Sequence, residues 1–380
     1  MTSKARTYDK SGKKEKKKSK SIKPKTKKKT KKKQDFGTGD GKVEEKKIGD
    51  TNQGEELIGI KQLEETVLEY IIGQDEQVRQ IITAIYRART FQSIKSNVLI
   101  IGNSGTGKTA TIMQIAQALD IPYTIEDATK YTQEGYYGAD VTDMLYNLIQ
   151  SADHDLSKAW NGIIVIDEID KKTADGTEHD VAGVEVLKSL LKIIEGTTVM
   201  VEPPDFMDDP IPFDTSNLII LFMGAFPGLE KIRDRRLNRN AFGFANSKEV
   251  SEGNSKYLKQ DLVKYGLPEE FVGRIDTIIE MNNLGQKELV QILTSSRLSI
   301  FRKYEEELKC LGITLKYDEE VFYQIAEASL VLDTGARELS NTVNQIFEHI
   351  TYDILANPGE FTKCKLLPGI VQDNTMYSLS

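Results

Sequence analysis

Eight consecutive residues have the types and the order of a loop that binds phosphate groups. The segment Gly102-Asn103-Ser104-Gly105-Thr106-Gly107-Lys108-Thr109 matches the pattern G-x-x-x-x-G-K-[ST] at every fixed position. Its glycines let backbone N–H groups face phosphate oxygens, and the start of the following helix adds positive potential. We expect Lys108 to reach the β- and γ-phosphates of a nucleoside triphosphate, and the Thr109 hydroxyl to bind Mg²⁺. The alternative, a Gly-rich turn without a ligand, does not explain the apolar strand before it and the helical pattern after it.

Two carboxylates follow a second apolar run. Residues 163–166 read as a buried strand, and Asp167 and Glu168 come directly after it. A strand that delivers a carboxylate to the C-terminal edge of a parallel sheet predicts that Asp167 lies on the Mg²⁺ side of the nucleotide. Glu168 can polarise an attacking water, which favours hydrolysis over transfer to a second substrate. An ordinary strand end with solvated acids is the alternative.

The elements that position these residues predict an α/β fold. Apolar runs at 97–101, 163–166 and 218–222 are typical of buried parallel strands, and 122–127 resembles a further strand. Helical periodicity precedes the first run and recurs at 109–119, 140–149 and 184–194. We therefore predict a parallel sheet with helices on both faces.

The pattern changes near residue 283. Helices are predicted at 286–304 and 318–329 and through Leu339 to Ile354, with a short strand at 313–317. We predict a Lys-rich tail and linker at 1–54, a large α/β ATPase domain at 55–283, and a smaller, mostly helical domain at 284–380.

The charge of the chain is unevenly distributed. Residues 1–34 carry 17 basic and two acidic side chains, whereas the other 346 residues carry 34 basic and 56 acidic ones. Because its few apolar residues cannot offset the entropy cost of ordering the chain, we expect the tail to be disordered. It could contact a polyanion such as nucleic acid, anionic lipid or an acidic partner, or it could be a solvated tail without a specific role.

Composition excludes other classes. The longest apolar stretch, 218–226, has nine residues, whereas a bilayer span needs about 20. Cys310 and Cys364 form neither a disulfide framework nor a metal-binding spacing, which favours a reducing cytosol and a cytoplasmic location. The three histidines are too scattered for a His-rich metal cluster.

These motifs, in this order, resemble the AAA+ ATPases, and shorter segments resemble their ClpX-type unfoldase branch over residues 56–370. Five segments carry the finer resemblance: Tyr70-Ile71-Ile72-Gly73-Gln74, Gly135-Tyr136-Tyr137-Gly138, Asp214-Thr215-Ser216 with Gly224-Ala225-Phe226 after the next strand, Phe271-Val272-Gly273-Arg274, and Thr334-Gly335-Ala336-Arg337. The resemblance implies ATP and Mg²⁺ as cofactors and a ring, a hexamer, as the assembly.

The resemblance also implies roles at the nucleotide. Ile71 and Ile72 would enclose the adenine base, although packing in the core is an alternative for both. Arg274 would neutralise charge on the γ-phosphate of a neighbouring subunit. Arg337 would reach back from the small domain to the phosphates and tie nucleotide state to the angle between the domains. A surface role for Arg274 and a structural ion pair for Arg337 are the alternatives.

Two further loops are implied to contact other proteins. Tyr136 and Tyr137, flanked by glycines, would line the axial channel and grip an extended polypeptide, because exposed aromatics are costly without a use. The segment Phe242-Gly243-Phe244 resembles the Ile-Gly-Phe tripeptide by which ClpX-type proteins dock on a ClpP-like peptidase, with Phe in place of Ile. Tyrosines folded onto the core and a local packing anchor are the respective alternatives.

The sequence departs from the ClpX pattern at three places. No cysteine precedes Cys310, so we expect the N-terminal zinc-binding domain to be absent and substrate choice to differ. Residues 202–214 are acidic and proline-rich, where the resemblance implies a basic loop. The strand ending in Phe222 and Met223 carries no clear polar residue to position the attacking water.

The sequence thus predicts an ATP-dependent protein unfoldase that moves polypeptide through a ring pore. A nucleic-acid-directed AAA+ ATPase, such as a replication or mobile-element factor that uses the Lys-rich tail, is one alternative. A scaffold that does not hydrolyse ATP is another, which Lys108, Asp167, Glu168 and Arg274 disfavour.

Overall fold

The computed structural model of the chain describes residues 59–91, 95–131, 140–173, 179–203, 209–241, 256–331 and 335–380. The Lys-rich tail and its linker lie outside these ranges. Within them, no helix is long and apolar enough to cross a membrane. The first part of the chain forms an α/β layer structure and the C-terminal part is mostly helical.

A parallel five-stranded sheet lies at the centre of the first part. The strands of this part are β1 (Asn97–Ile101), β2 (Tyr123–Asp127), β3 (Ile163–Asp167), β4 (Thr198–Val201), β5 (Ile211–Asp214), β6 (Ile219–Gly224) and β7 (Thr277–Glu280). The order in the central sheet is β2-β3-β6-β1-β7, and every pairing in it is parallel. The predicted strands are confirmed, but β7 at the sheet edge and the antiparallel pair β4–β5 were not predicted.

Helices cover both faces of the sheet because alternate side chains of each strand point to opposite sides. In β1, Val98 and Ile100 pack with helices that precede and follow the strand, whereas Leu99 and Ile101 belong to a second core on the other face. The helices of this part are α1 (Ile60–Leu68), α2 (Asp75–Thr90), α3 (Lys108–Ala118), α4 (Asp143–Ser151), α5 (Leu156–Ala159), α6 (His179–Ile194), α7 (Leu229–Ala241), α8 (Lys259–Tyr265) and α9 (Glu269–Gly273), with 3₁₀ turns at Ala128–Lys130 and Ile169–Lys172.

The C-terminal part has a core of its own. Phe301 packs edge-on against Tyr317, Phe322 and Phe347 at the centre of this core. Its elements are α10 (Gln286–Thr294), α11 (Ile300–Cys310), β8 (Thr314–Lys316), α12 (Glu320–Val331), α13 (Ala336–Ala356), β9 (Lys363–Leu366) and β10 (Tyr377–Leu379). Of the small sheet β10-β9-β8, only β8 was predicted from the sequence.

The predicted single helix at 286–304 is wrong, because the chain breaks into α10 and α11. In the break, the Ser296 hydroxyl donates to the Tyr70 carbonyl at 2.7 Å, and the Arg297 N–H donates to the Glu69 carbonyl at 3.1 Å. Ser299 then accepts the Arg302 N–H and begins α11. Hydrogen bonds to the first part of the chain thus replace those of a continuous helix.

A buried ion pair anchors the segment that leads to Arg274. Arg236 donates through Nε to both carboxylate oxygens of Asp261, at 2.9 and 3.1 Å. The same carboxylate accepts the Leu258 N–H at the start of α8, and Arg236 also donates to the Lys256 carbonyl. Because both side chains are buried, water cannot replace either partner of this ion pair.

We predict that Asp261→Ala lowers the free energy of unfolding by about 3–5 kcal/mol, since Arg236 would remain buried without its partner. Denaturant unfolding followed by circular dichroism measures the change. Asp234→Ala is the matched control: Asp234 pairs with Arg233 at the surface, and such a pair contributes about 1 kcal/mol or less. Equal losses in the two variants would show that the buried pair has no special role.

Candidate active site

A cavity of about 420 Å³ lies at the C-terminal edge of the central sheet. It is lined by the loop after β1, by acids that follow β3, by the turn after β6 and by one side chain of α13. The residues with charged or hydroxyl side chains that line it are Ser104, Lys108, Thr109, Asp167, Glu168, Asp170, Lys171 and Arg337. The structure therefore brings both predicted catalytic motifs together with an arginine of the C-terminal part.

The phosphate-binding loop takes a shape that its glycines permit. Gly105 and Gly107 have φ angles of +75° and +93°, in the left-handed region that favours glycine, and α3 begins directly after Gly107. Lys108 Nζ donates to the carbonyl oxygens of Gly102 and Asn103, at 2.5 and 2.9 Å. The backbone of the loop thus holds the Lys108 ammonium group near the N-terminus of α3.

Burial governs the electrostatics of Lys108. It lowers the pKa of the ammonium group below its usual value, and Arg337 adds to the lowering. The carboxylates of Asp167 and Asp170 oppose this effect. Phosphate oxygens in the cavity would favour the charged form of Lys108 in the same way.

Glu168 occupies an unusual backbone conformation. Its φ of +56° places a non-glycine residue in the left-handed region, and its N–H donates to Asp167 Oδ1 at 2.8 Å. Such strain costs of the order of 1–3 kcal/mol and is often found at functional sites. Here it turns Glu168 away from the strand direction, with its side chain exposed at the cavity.

The cavity fits Mg²⁺ held together with phosphates. Thr109 and Asp167 offer a hydroxyl and a carboxylate oxygen to the same space, and Mg²⁺ is commonly bound by one or two protein oxygens plus phosphates and waters. In the described ranges, no group of three or more His, Cys, Asp or Glu residues could hold a metal ion.

The start of α13 rests directly on the phosphate-binding loop. The Ala336 N–H donates to the Gly105 carbonyl at 3.1 Å. Gly335 before it has φ +55°, and a Cβ there would lie 3.0 Å from the same carbonyl oxygen. Arg337, the next residue along the helix, lines the cavity. The C-terminal part therefore touches the loop at the point where phosphates would bind.

Arg274 lies at the opposite end of strand β1 from this cavity. Its carbonyl accepts the side-chain N–H of Asn97, the first residue of β1, at 3.0 Å, whereas the phosphate-binding loop follows the other end of β1. Five strand residues at about 3.3 Å each separate these ends by about 16 Å. The guanidinium pairs with Glu195 at 2.5 Å, and both side chains are about half exposed.

We call residues 70–74, which the resemblance predicts to contact the adenine base, the base-side segment; hydrogen bonds connect it to other parts of the chain. Ile71 packs in the core and Ile72 is only partly buried, and neither lines the cavity. Gln74 is fully buried: its Nε2 donates to the carbonyls of Thr106 and Asn282, and its Oε1 accepts the Asn282 N–H. No role was predicted for Gln74, although its place at the end of the base-side segment was a usable signal.

Several predicted site residues lie outside the described residues. These are Tyr136 and Tyr137 of the proposed pore loop and Phe242, Gly243 and Phe244 of the proposed docking segment. Their roles stay predictions.

Comparison with known proteins agrees with this geometry. Residues 93–278 match the family model of the AAA domain (Cdc48 subfamily), and residues 284–360 match that of the C-terminal, D2-small domain of ClpB protein. Among similar proteins are three described as the ATP-dependent Clp protease ATP-binding subunit ClpX. That of Borrelia duttonii is 37% identical over 77% of this chain and 74% of its own length.

The other two are comparably similar. The Treponema denticola protein is 36% identical over 75% of each chain, and the Bacteroides thetaiotaomicron protein is 35% identical over 78% of this chain and 76% of its own. The two family models fall on either side of the junction at residues 279–283. On these matches, this chain is an ATPase and belongs to the ClpX-type branch of the AAA+ ATPases.

Proposed function

We propose that this chain forms a hexameric ring that hydrolyses ATP with Mg²⁺ and moves polypeptide substrates through its central pore, unfolding them. In this proposal residues 55–283 are the large ATPase domain and 284–380 the small domain. The observation that carries it is the shared cavity: Lys108, Asp167 and Glu168 of the first part and Arg337 of the second line the same space. Charges on a nucleotide would act on both parts at once.

The roles of the cavity residues follow from their chemistry. The N–H groups of the phosphate-binding loop and Lys108 would hold the phosphates. Thr109 and Asp167 would hold Mg²⁺, which would neutralise negative charge on the phosphates. Glu168 accepts a proton from the attacking water. Arg274 of a neighbouring subunit contacts the γ-phosphate, because it is too far from the cavity of its own chain.

The work step joins this cavity to the pore. Loss of the γ-phosphate removes a partner of Arg337, and α13 carries that change into the small domain. Tyr136 and Tyr137 grip the substrate, and successive changes of state in the ring move it.

The ClpX relatives are described as ATP-binding subunits of a Clp protease, so a ClpP-like peptidase, contacted by Phe242-Gly243-Phe244, is the proposed partner. We propose a cytoplasmic location. ClpX similarity over three quarters of the chain favours polypeptide over nucleic acid as the substrate.

We predict that Glu168→Gln lowers kcat for ATP about 10²–10⁴-fold, because the amide cannot accept the proton. ATP binding should persist, since Lys108 and the loop are untouched. Phosphate release and binding of a fluorescent nucleotide measure the two properties. Glu76→Gln, at an exposed carboxylate, is the control and should leave both unchanged. Normal turnover by Glu168→Gln would remove Glu168 from the mechanism.

A mixing experiment tests whether Arg274 acts on a neighbouring subunit. Arg274→Ala alone should lose on the order of 10³-fold in kcat, and Lys108→Ala alone should fail to bind ATP. Rings that contain both variants should regain activity, because the intact loop of an Arg274→Ala subunit then lies beside the intact Arg274 of a Lys108→Ala subunit. Arg274→Ala mixed with the double variant Lys108→Ala/Arg274→Ala is the control and should stay inactive. If the first mixture also stays inactive although mixed rings form, the arginine does not act between subunits.

Tyr136→Ala should leave ATP hydrolysis within about threefold of the wild type while unfolding of a stable substrate stops, since only the grip is removed. Loss of fluorescence of a tagged green fluorescent protein measures unfolding. Tyr352→Ala, at a tyrosine exposed on α13, is the control. Unfolding that continues in Tyr136→Ala at the wild-type rate would place the grip elsewhere.

A further inference from the structure

The strand beside the phosphate-binding loop ends without a polar side chain. All six residues of β6 are buried, and Phe222 and Met223 near its end are apolar. In the register of the sheet, Gly224 at the end of β6 lies opposite Ile101, directly before the loop. A polar group at this point would lie beside the phosphate-binding loop, and since β6 offers none, it could come only from another element.

Asp170 places a carboxylate at this strand end. It belongs to the turn after β3, and its side chain is only 2% exposed. Oδ2 accepts the Phe226 N–H at 3.3 Å, which holds a residue with a φ of +52°. A Cβ on Gly224 would lie 2.6 Å from Oδ1. The carboxylate therefore fills a space that only a glycine at position 224 leaves open.

Among the described residues, the contacts of Asp170 leave it with spare capacity to accept hydrogen bonds. Besides the long bond from Phe226, it is paired with Lys171 Nζ at 3.7 Å, beyond hydrogen-bond distance. An ionised carboxylate offers about four acceptor sites, and a buried charge is costly unless it is well paired. The carboxylate also lines the cavity beside Lys108, Asp167 and Glu168. A donor inside the cavity is the natural further partner.

We propose that Asp170 is a positioning residue for ATP hydrolysis: its carboxylate accepts a hydrogen bond from a water in the loaded site and, through Phe226, fixes the turn after β6. It thereby supplies the polar group that β6 lacks. The water is either the attacking one or one bound to Mg²⁺. The inference rests on the proposed hydrolysis of ATP at this cavity.

Asp170→Asn separates the two parts of this role. The asparagine oxygen can still accept the Phe226 N–H, so the turn should persist, but the negative charge is lost. We expect kcat of the full chain to fall about 10- to 100-fold, the range for loss of one hydrogen bond to a charged group. The KM for ATP and binding of a fluorescent ADP should change less than about threefold, because the loss is confined to the transition state. Asp155→Asn, at the cap of α5, is the matched control.

A Mg²⁺ titration identifies the water. If about tenfold more Mg²⁺ restores the rate of Asp170→Asn, the water belongs to the Mg²⁺ shell, and if it does not, the water is the attacking one. Both outcomes support the proposal. A kcat within about twofold of the wild type at every Mg²⁺ concentration overturns it, as does a loss of ADP binding in parallel with kcat.

Gly224→Ala gives an independent test should the asparagine variant fail to fold. Its methyl group would lie 2.6 Å from both Asp170 Oδ1 and the ring of Phe226. It would therefore displace the carboxylate and the turn that the carboxylate holds without removing the charge, so kcat should fall while ADP binding remains. Gly59→Ala, where a Cβ meets nothing within 4 Å, is the control. Unchanged kcat in Gly224→Ala overturns the proposal. Protein unfolding by the wild type is measured alongside: its absence would refute the proposed unfoldase activity without touching the role of Asp170.

Discussion

The buried amide of Gln74 is the contact on which the geometry of the ATP site depends. It joins the base-side segment, the phosphate-binding loop at Thr106 and the junction at Asn282 through three hydrogen bonds of 2.9–3.0 Å. The side chain is excluded from water, so a bond broken by movement of any one segment would leave a buried polar group unpaired, which is costly. The loop and the junction therefore cannot move independently of each other.

Two more contacts attach the C-terminal part at opposite ends of the site. On the base side, Ser296 and Arg297 donate to the carbonyls of Tyr70 and Glu69. On the phosphate side, Ala336 donates to Gly105. A rigid body held at two points changes its angle when one point shifts and the other stays. In the proposed mechanism the phosphates act at the Gly105 end, so the base-side contact is suited to be the pivot.

The local features of the site could be predicted from the sequence, whereas its long-range contacts could not. The phosphate-binding loop and the acids after β3 occupy short segments whose residue types and spacing indicate their chemistry. The break at Ser296 is different: residues 286–304 are compatible with one helix, and the hydrogen bonds that interrupt it go to Tyr70, 226 residues earlier. Gln74 and Asp170 likewise have partners, Asn282 and Phe226, that only the folded chain brings near.

The position of Arg274 provides a chemical reason for the chain to assemble into the proposed ring. The cavity of one chain contains Lys108, Asp167, Glu168 and Arg337, but Arg274, the second arginine proposed to contact the γ-phosphate, lies at the other end of β1. There it pairs with Glu195, and an ion pair this exposed contributes about 1 kcal/mol or less. A γ-phosphate carries more negative charge than the Glu195 carboxylate and would be less exposed to water, so Arg274 can exchange Glu195 for it at little cost. A neighbouring subunit that presents this end of the sheet to the cavity would complete the site, and assembly and hydrolysis would then depend on the same side chain.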